Sequence, residues 1–283
     1  MWVRAEEWSM NNDIDVGFIS ANYVARRADY PGGDTSEWGE HDRRTRERFD
    51  VGGIDAWMSE VAEAGFDGLS LWTAHCWYHD ADDDRLERMR DLAERHDLPL
   101  YSYAGSLGQP PENGEEDRRK AWDRTFAVAD RLGCGRLTGG YDDPDARSII
   151  PDLVAEYDIE FAYENHPEGS AAEIRDRLPG DDDRIGVAFD TGWAGTQGSD
   201  APATIRELGD DLLEVHLKDV ESSREHETCA LGEGVVDIEG CVAALRDVGY
   251  DGWVTIEHEP FDRDPLPELR TSRERLREWL AAA

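Results

Sequence analysis

Residues 160–190, EFAYENHPEGSAAEIRDRLPGDDDRIGVAFD, show the pattern from which the fold of this protein can be predicted. Two short apolar segments, residues 160–165 and 185–190, are separated by a longer charged segment. Short runs rich in Val, Ile, Leu, Phe and Tyr are typical of buried strands, whereas longer charged segments with apolar residues three and four apart are typical of helices. The stretch therefore predicts a strand, a helical connection and a second strand.

The same alternation extends over the whole chain and predicts an α/β fold with a single (β/α)₈ TIM barrel, because eight strand–helix units fit without a Pro/Gly/Ser-rich linker. We place an N-terminal extension at residues 1–12 and the barrel domain at residues 13–283. The predicted strands are Val16–Ser20, Gly68–Trp72, Leu100–Ala104, Arg136–Gly139, Glu160–Asn165, Ile185–Asp190, Leu213–Lys218 and Trp253–Glu257. Helical spacing recurs at Ile54–Ala64, Asp84–Arg95, Glu115–Arg131 and Ile238–Val248, and C-terminal caps are predicted at Gly65, Gly133 and Gly249.

An open doubly wound sheet is the alternative fold, and its usual marker is a Gly-rich phosphate loop after the first strand. Here the first strand continues into Ser20, Ala21 and Asn22, and neither GxGxxG nor a P-loop motif occurs. The long connection from Asn22 to Gly53 suits a lid or rim loop over the mouth of a barrel, with disorder as the alternative.

The charge balance of the chain excludes a general nucleic-acid binder. Thirty Lys and Arg residues against 65 Asp and Glu residues give a formal charge of −35, whereas a phosphate backbone is held by clustered basic residues. Only two basic residues, Lys120 and Lys218, are lysines. Excess surface carboxylate keeps a protein soluble where high salt screens the self-repulsion, so we interpret the charge as that of a halophilic protein. A metal-sequestering acidic protein is the weaker interpretation.

The cysteines and the N-terminal residues indicate a cytoplasmic location. Cys76, Cys134, Cys229 and Cys241 form no CxxC pair, so we expect free thiols in a reducing cytosol. The first 13 residues lack the apolar segment of a secretory signal, and no stretch approaches the length of a membrane span. We therefore expect no membrane partner.

Polar side chains end four consecutive predicted strands, each after an apolar run. They are Glu164, Asp190, His216 and Glu257. Asp190 follows Glu164 by 26 residues and His216 follows Asp190 by 26 residues, which is about one strand–helix unit in each case. Because reactive groups of such barrels stand at the carboxyl ends of the strands, we expect these four at similar heights around the mouth.

Three carboxylates that converge without a neutralising cation would repel one another and take up protons. A divalent metal ion resolves this repulsion, and one imidazole with three carboxylates is an oxygen-rich donor set. We predict one divalent ion with Mn²⁺ as first choice, and Mg²⁺, Co²⁺, Fe²⁺ or Zn²⁺ as alternatives. The competing explanation is that these acidic residues follow the strands by chance, because in a chain with 65 Asp and Glu residues some strands will end in an acidic residue.

The second half of the chain contains YENHP at residues 163–167, FDTG at 189–192, VHLKD at 215–219, GEG at 232–234, GYDG at 249–252 and IE at 256–257. The first half adds GFDG at residues 65–68, LW at 71–72 and His75. Together these motifs resemble the xylose isomerase-like family of the sugar phosphate isomerase/epimerase superfamily. The resemblance implies a TIM barrel with one divalent metal held by Glu164, Asp190, His216 and Glu257.

The activity that the resemblance implies is a metal-dependent isomerase or epimerase that converts a keto sugar through an enediolate. Glu164 and Glu257 would then be ligands and also the catalytic acid/base pair, whereas a metal-assisted hydride shift would leave them as ligands only. A dehydratase of the inosose dehydratase type starts with the same enolisation, and the ligand set does not separate the two reactions.

Two further functions are less favoured on this scaffold. An endonuclease that cuts abasic DNA would need a three-metal cluster with an additional His three residues after Asp190, where this chain has Trp193. A non-catalytic sugar-binding barrel would be expected to have lost ligands, and all four are present.

Four residues near the predicted mouth are candidates for substrate binding. His75 lies just past the second strand, Trp193 follows Asp190, Lys218 shares the inward face with His216, and Arg224 lies on the loop after the seventh strand. Lys218 and Arg224 are the only basic residues expected near the mouth, so we predict an unphosphorylated small-molecule sugar. The sequence leaves a homo-oligomer open.

Overall fold

The computed structural model describes residues 14–33, 37–110 and 117–282, and within them eight parallel strands form a closed barrel. The predicted extension, residues 1–12, lies outside the described residues, as does Asp13. Around the barrel the strands follow the order β1-β2-β3-β4-β5-β6-β7-β10, with every neighbouring pair parallel. Their bounds are β1 Val16–Ile19, β2 Gly68–Trp72, β3 Leu100–Ala104, β4 Arg136–Gly139, β5 Glu160–Glu164, β6 Ile185–Asp190, β7 Leu212–Leu217 and β10 Trp253–Ile256. The single (β/α)₈ barrel is confirmed.

Helices connect the strands and cover the outside of the barrel. In the described part of the chain they are α1 Trp38–Arg46, α2 Val51–Glu63, α3 Asp83–Arg95, α4 Arg118–Leu132, α5 Ala146–Tyr157, α6 Ala171–Arg175, α7 Thr191–Thr196, α8 Ala201–Leu208, α9 Ile238–Asp247 and α10 Leu266–Ala281. Gly65, Gly133 and Gly249 follow α2, α4 and α9 with positive φ angles, as expected for residues that end helices in the left-handed conformation.

The element bounds differ from the prediction by up to three residues. Helix α2 begins at Val51 and not at Ile54, because the Asp50 carboxylate accepts a hydrogen bond from Gly53 N at 3.1 Å and so caps an earlier turn. The described part of α4 begins after the capping residue Asp117, and residues 115–116 of the predicted helix lie outside the described ranges. Strands β1, β5 and β10 end one residue earlier than predicted, and β7 lies one residue earlier at both ends.

The predicted lid or rim segment between Asn22 and Gly53 is largely ordered where the structure describes it. It contains helix α1, whose first residue Trp38 packs edge-on against Trp72 with ring centroids 5.3 Å apart. His41 of the same helix packs against Phe261 at 5.3 Å. The segment therefore forms part of the rim at the carboxyl ends of the strands.

A short antiparallel hairpin after β7 adds to the simple strand–helix repeat. Its strands are β8, Asp219–Val220, and β9, Thr228–Cys229. The fully buried Asp219 carboxylate accepts hydrogen bonds from four backbone N–H groups, those of Val220, Gly232, Gly234 and Val236, at 2.9–3.0 Å. A side chain at Gly234 would lie 2.3 Å from the Asp219 carboxylate, so only glycine fits there.

We expect Asp219→Asn to destabilise the protein by about 3 kcal/mol, since an amide has one acceptor oxygen and hydrogen bonds to a charged group contribute about 1.5–3 kcal/mol each. Urea unfolding followed by circular dichroism would measure the loss. Asp237→Asn is the matched control: Asp237 caps α9 through one bond to Gly240 N, and Asn caps helices as well as Asp does. Equal unfolding midpoints for the two variants would contradict the proposed importance of Asp219.

The chemical environment of the cysteines matches the expectation of free thiols. All four are unpaired and buried. Burial raises the pKa of the Cys76 thiol to about 12, so this group stays protonated and unreactive at neutral pH. No helix of the described residues combines the length and the apolar character needed to cross a bilayer.

Candidate metal centre

The structure brings together the four side chains that the sequence selected as metal ligands. Glu164 ends β5, Asp190 ends β6, His216 lies near the end of β7, and Glu257 directly follows β10. Asp190 and His216 are direct partners in the β6–β7 ladder, which places them at the same height. One donor atom from each of the four lies within 4.8 Å of the others, and all four residues are buried.

The imidazole of His216 is oriented by carboxylates on both sides. Its Nδ1 lies 2.9 Å from Glu164 Oε1 and 2.8 Å from Glu257 Oε2, so this nitrogen faces the cluster. Its Nε2 lies 3.1 Å from Glu214 Oε1, on the side away from the cluster. Nδ1 is therefore the nitrogen that would face a metal ion.

Asp190 uses its two oxygens differently. Oδ1 accepts hydrogen bonds from Gly192 N at 2.7 Å and Trp193 N at 3.0 Å and so caps helix α7. Oδ2 is buried and accepts no hydrogen bond from the residues that the structure describes. A buried carboxylate oxygen without a hydrogen-bond donor is the feature that a bound cation would satisfy.

Lys218 lies beside the cluster and forms ion pairs with its carboxylates. Its Nζ is 2.7 Å from Glu257 Oε1, 3.0 Å from Glu259 Oε2 and 3.8 Å from Asp190 Oδ2. The indole N–H of Trp38 donates a hydrogen bond to Glu259 Oε1 at 3.2 Å, which links helix α1 to the Lys218–Glu259 ion pair.

The buried charges influence one another strongly. Burial raises the pKa of Asp190 and of Glu259, and repulsion from Glu257 adds to the increase. Burial acts against ionisation of Glu257 as well, but Lys218 and His216 hold its pKa below the ordinary value. Burial would also lower the pKa of His216, yet the carboxylate of Glu164 raises it well above the usual range. The cluster therefore attracts positive charge.

The donor set fits a divalent metal ion. Donor atoms of three carboxylates and one imidazole lie within 4.8 Å of one another, and Asp190 Oδ2 accepts no hydrogen bond from the described residues. The imidazole is fixed through its second nitrogen. Oxygen-rich sets with imidazole are typical of Mn²⁺, Fe²⁺, Co²⁺ and Zn²⁺. The geometry of the side chains does not choose among these ions.

A cavity of about 740 Å³ opens above the cluster. Glu164 and Glu257 line this cavity together with Lys218 and Glu259, whereas Asp190 and His216 are completely buried beneath it. Its walls are strongly aromatic and include Trp38, Trp72, Trp122, Tyr141, Tyr163, Trp193 and Phe261. The volume suits a small ligand whose apolar faces pack on rings.

Two of the predicted substrate-binding residues line the cavity. They are Lys218 and Trp193, and the Trp193 ring contacts the rings of His166 and His226 with centroid distances of 4.6 and 4.2 Å. Trp193 therefore contributes an aromatic ring to the cavity wall and is packed against two neighbouring rings.

His75 and Arg224 are not among the described residues that line the cavity. The ring of His75 packs against Trp57 and Trp72, and its Nδ1 lies 3.0 Å from Ser20 Oγ. Burial lowers the pKa of His75 to about 3, so its imidazole is neutral. Arg224 is exposed, and its backbone N–H donates a hydrogen bond to Thr196 O at 3.0 Å.

Sequence reasoning missed Glu214, Glu259, Arg118 and Arg177. A usable signal exists for the two glutamates, since each stands two residues from a predicted ligand and side chains two apart along a strand share a face. No comparable signal points to the arginines. Both line the cavity and both are paired with acids: Arg177 with Glu168 at 3.5 Å, and Arg118 with Asp143 at 3.6 Å.

Comparison with known families gives a match to the model described as xylose isomerase-like TIM barrel over residues 58–279. The rhizopine catabolism protein MocC of Rhizobium meliloti is 25% identical over 252 residues, covering 76% of this chain and 71% of that protein. An inosose dehydratase of Lacticaseibacillus casei is 28% identical over 131 residues, covering 39% of this chain and 44% of that protein. Several curated relatives are thus matched over about half of their length or less.

Solved structures share the fold at low sequence identity. An L-ribulose 3-epimerase superposes with a TM-score of 0.68 at 14% identity, covering 94% of each chain. The IolI protein, solved with a bound zinc atom, superposes with a TM-score of 0.66 at 14% identity, covering 95% of this chain and 98% of that one. At this level of identity the likeness establishes the barrel fold alone.

Proposed function

The chain belongs to the xylose isomerase-like TIM barrel family, and from that premise we propose that it is a divalent-metal-dependent enzyme that enolises an uncharged keto sugar or polyol ketone. The observation that carries the proposal is that the four residues of the cluster differ in their access to the cavity. Glu164 and Glu257 line the cavity, whereas Asp190 and His216 are completely buried beneath it. Two carboxylates are thus accessible to a substrate at the position where four ligands converge.

A divalent ion held by these four residues would polarise a carbonyl and an adjacent hydroxyl and stabilise the charge that develops as a proton leaves carbon. The protein supplies the proton transfer. One of Glu164 and Glu257 accepts the proton from the carbon beside the carbonyl, and the other returns a proton to the enediolate. Return to the opposite face gives an epimer, and return to the neighbouring carbon gives an isomer.

The cavity walls favour an unphosphorylated substrate. Its cations, Lys218, Arg118 and Arg177, are all engaged with carboxylates. A phosphate group would have to compete for these cations with the carboxylates that already pair with them. Flat aromatic surfaces such as Trp193 instead suit the C–H faces of a sugar or of a cyclic polyol.

A second candidate reaction is the elimination of water after the same enolisation. It is favoured by Lys218, whose ammonium lines the cavity and lies 2.7 Å from Glu257. A cationic acid at this position can protonate a departing hydroxyl, which epimerisation does not require. The sequence similarity to the inosose dehydratase of Lacticaseibacillus casei, which spans less than half of that protein's length, supports this candidate.

The proposal is tested on protein purified in high salt without chelator. We expect about one divalent ion per chain by elemental analysis, together with metal-dependent uptake of deuterium from D₂O into a panel of keto sugars and inososes. Mass spectrometry of the products separates the candidates, because epimers keep the substrate mass apart from deuterium whereas elimination removes 18 Da. A protein that contains no metal and catalyses no exchange would refute the proposed enzymatic activity. Three ions per chain would instead favour an endonuclease-type metal cluster.

A further inference from the structure

Glu214 lies inside the barrel directly below the metal centre. It is two residues before His216 on β7, so both side chains point to the barrel interior. Its carboxylate is completely buried. A carboxylate in such a position is costly unless hydrogen bonds and positive charge compensate it.

Every oxygen of Glu214 has a partner. Oε1 is 3.1 Å from His216 Nε2 and 2.8 Å from Thr255 Oγ1, while Oε2 is 2.8 Å from Thr138 Oγ1 and 3.7 Å from Arg136 Nη1. The two oxygens are thus surrounded by a ring nitrogen, two hydroxyl groups and the guanidinium of Arg136, which is always charged. Glu214 is therefore a carboxylate that only accepts hydrogen bonds.

The direction of each hydrogen bond follows from that charge. Both threonine hydroxyls must donate to Glu214, so Tyr101 OH donates to Thr255 and Ser102 OH donates to Thr138, each at 2.8 Å. His216 Nε2 must likewise carry a hydrogen that it donates to Oε1. The lone pair available to a metal ion is consequently on Nδ1, the nitrogen that faces Glu164 and Glu257.

We propose that Glu214 is a positioning residue that fixes His216 with Nε2 protonated and Nδ1 directed at the metal, and thereby raises the affinity of the centre for a divalent ion. The inference rests on the metal centre of the proposed function and is independent of the reaction that follows. A carboxylate behind a ligating imidazole orients the ring and increases its basicity, and loss of such a partner typically weakens metal binding about 10–100-fold.

The test measures metal dissociation constants by isothermal titration with Mn²⁺, for the wild-type protein, Glu214→Gln and Glu214→Met. Gln keeps an acceptor without the charge, and Met removes both. We expect binding about tenfold weaker for Gln and about 100-fold weaker for Met. Unchanged affinity in both variants would overturn the inference.

Thr138→Val is the matched control, because it removes a donor to the opposite oxygen of the same carboxylate and leaves the His216 contact in place. We expect lower thermal stability with metal affinity close to wild type. Equal losses of affinity in Thr138→Val and Glu214→Gln would show that Glu214 only supports the fold, and would overturn its positioning role.

A spectroscopic measurement on the wild type tests the same inference without relying on variants that must fold. In ¹⁵N-histidine-labelled protein loaded with Zn²⁺, we expect His216 to show a protonated Nε2 and a metal-bound Nδ1. The reverse assignment would overturn the inference while leaving the proposed function intact. If the wild type binds no divalent ion, the proposed function and the inference both fall.

Discussion

Glu257→Gln is expected to slow metal-dependent deuterium exchange by about 1,000-fold or more, because under the proposed function the substitution removes a metal ligand and one of the two proton-transferring carboxylates. Glutamine keeps the size of the side chain and can still accept a hydrogen bond. The loss should therefore appear mainly in kcat at saturating metal. It is measured as the initial rate of deuterium incorporation into the substrate by mass spectrometry.

Glu233→Gln provides the control for this change. Glu233 pairs with Arg275 at 2.7 Å on the surface and lies outside the described lining of the cavity, so we expect exchange rates close to wild type. Metal content must be measured for both variants, since loss of the ion alone also stops exchange. A Glu257→Gln protein that retains its ion and exchanges at the wild-type rate would eliminate Glu257 as a proton-transfer residue.

Lys218→Met is expected to separate the two candidate reactions. If the enzyme eliminates water, loss of the ammonium removes the acid that protonates the departing hydroxyl, and elimination should fall about 100-fold or more relative to deuterium exchange. The ratio is measured within one preparation from the masses of product and recovered substrate. It does not depend on the folded fraction, which matters because removing Lys218 leaves Glu257 and Glu259 without their shared cation.

The chain offers a matched control in its only other lysine. Lys120 is exposed on helix α4, and Lys120→Met should leave the ratio of elimination to exchange unchanged. If Lys218→Met lowers exchange and elimination in equal proportion, Lys218 acts by supporting Glu257 and not as the acid. If the wild type yields only epimers, the elimination reaction is refuted.

The halophilic character, the cytoplasmic location and the choice of Mn²⁺ stay predictions. The charge of −35 supports the halophilic character, because concentrated salt screens the repulsion between the carboxylates and should make the protein more stable. The arrangement of Glu164, Asp190, His216 and Glu257 supports a metal, but the same donors suit several divalent ions.

The barrel and the cluster of four candidate ligands could be predicted from the sequence, because both depend on local patterns joined by one topological rule. Alternating apolar strands and amphipathic helices mark the elements, and parallel strands of a closed barrel must bring their carboxyl ends to the same mouth. Glu164 and Asp190 could therefore be placed together although 26 residues separate them. The predicted boundaries of the elements were less accurate. At α2, for example, a single capping side chain moves the start of the helix by about one turn.

The surroundings of that cluster depend on contacts between segments that are distant in the sequence. Trp38, Arg118 and Arg177 reach the cavity from segments whose paths depend on packing between distant elements, and no local period marks them. The same packing brings the His75 ring into contact with two tryptophan rings, whereas Arg224 is exposed to solvent. The direction of a loop side chain is set by its neighbours in space, whereas the direction of a strand side chain is set by alternation along the chain.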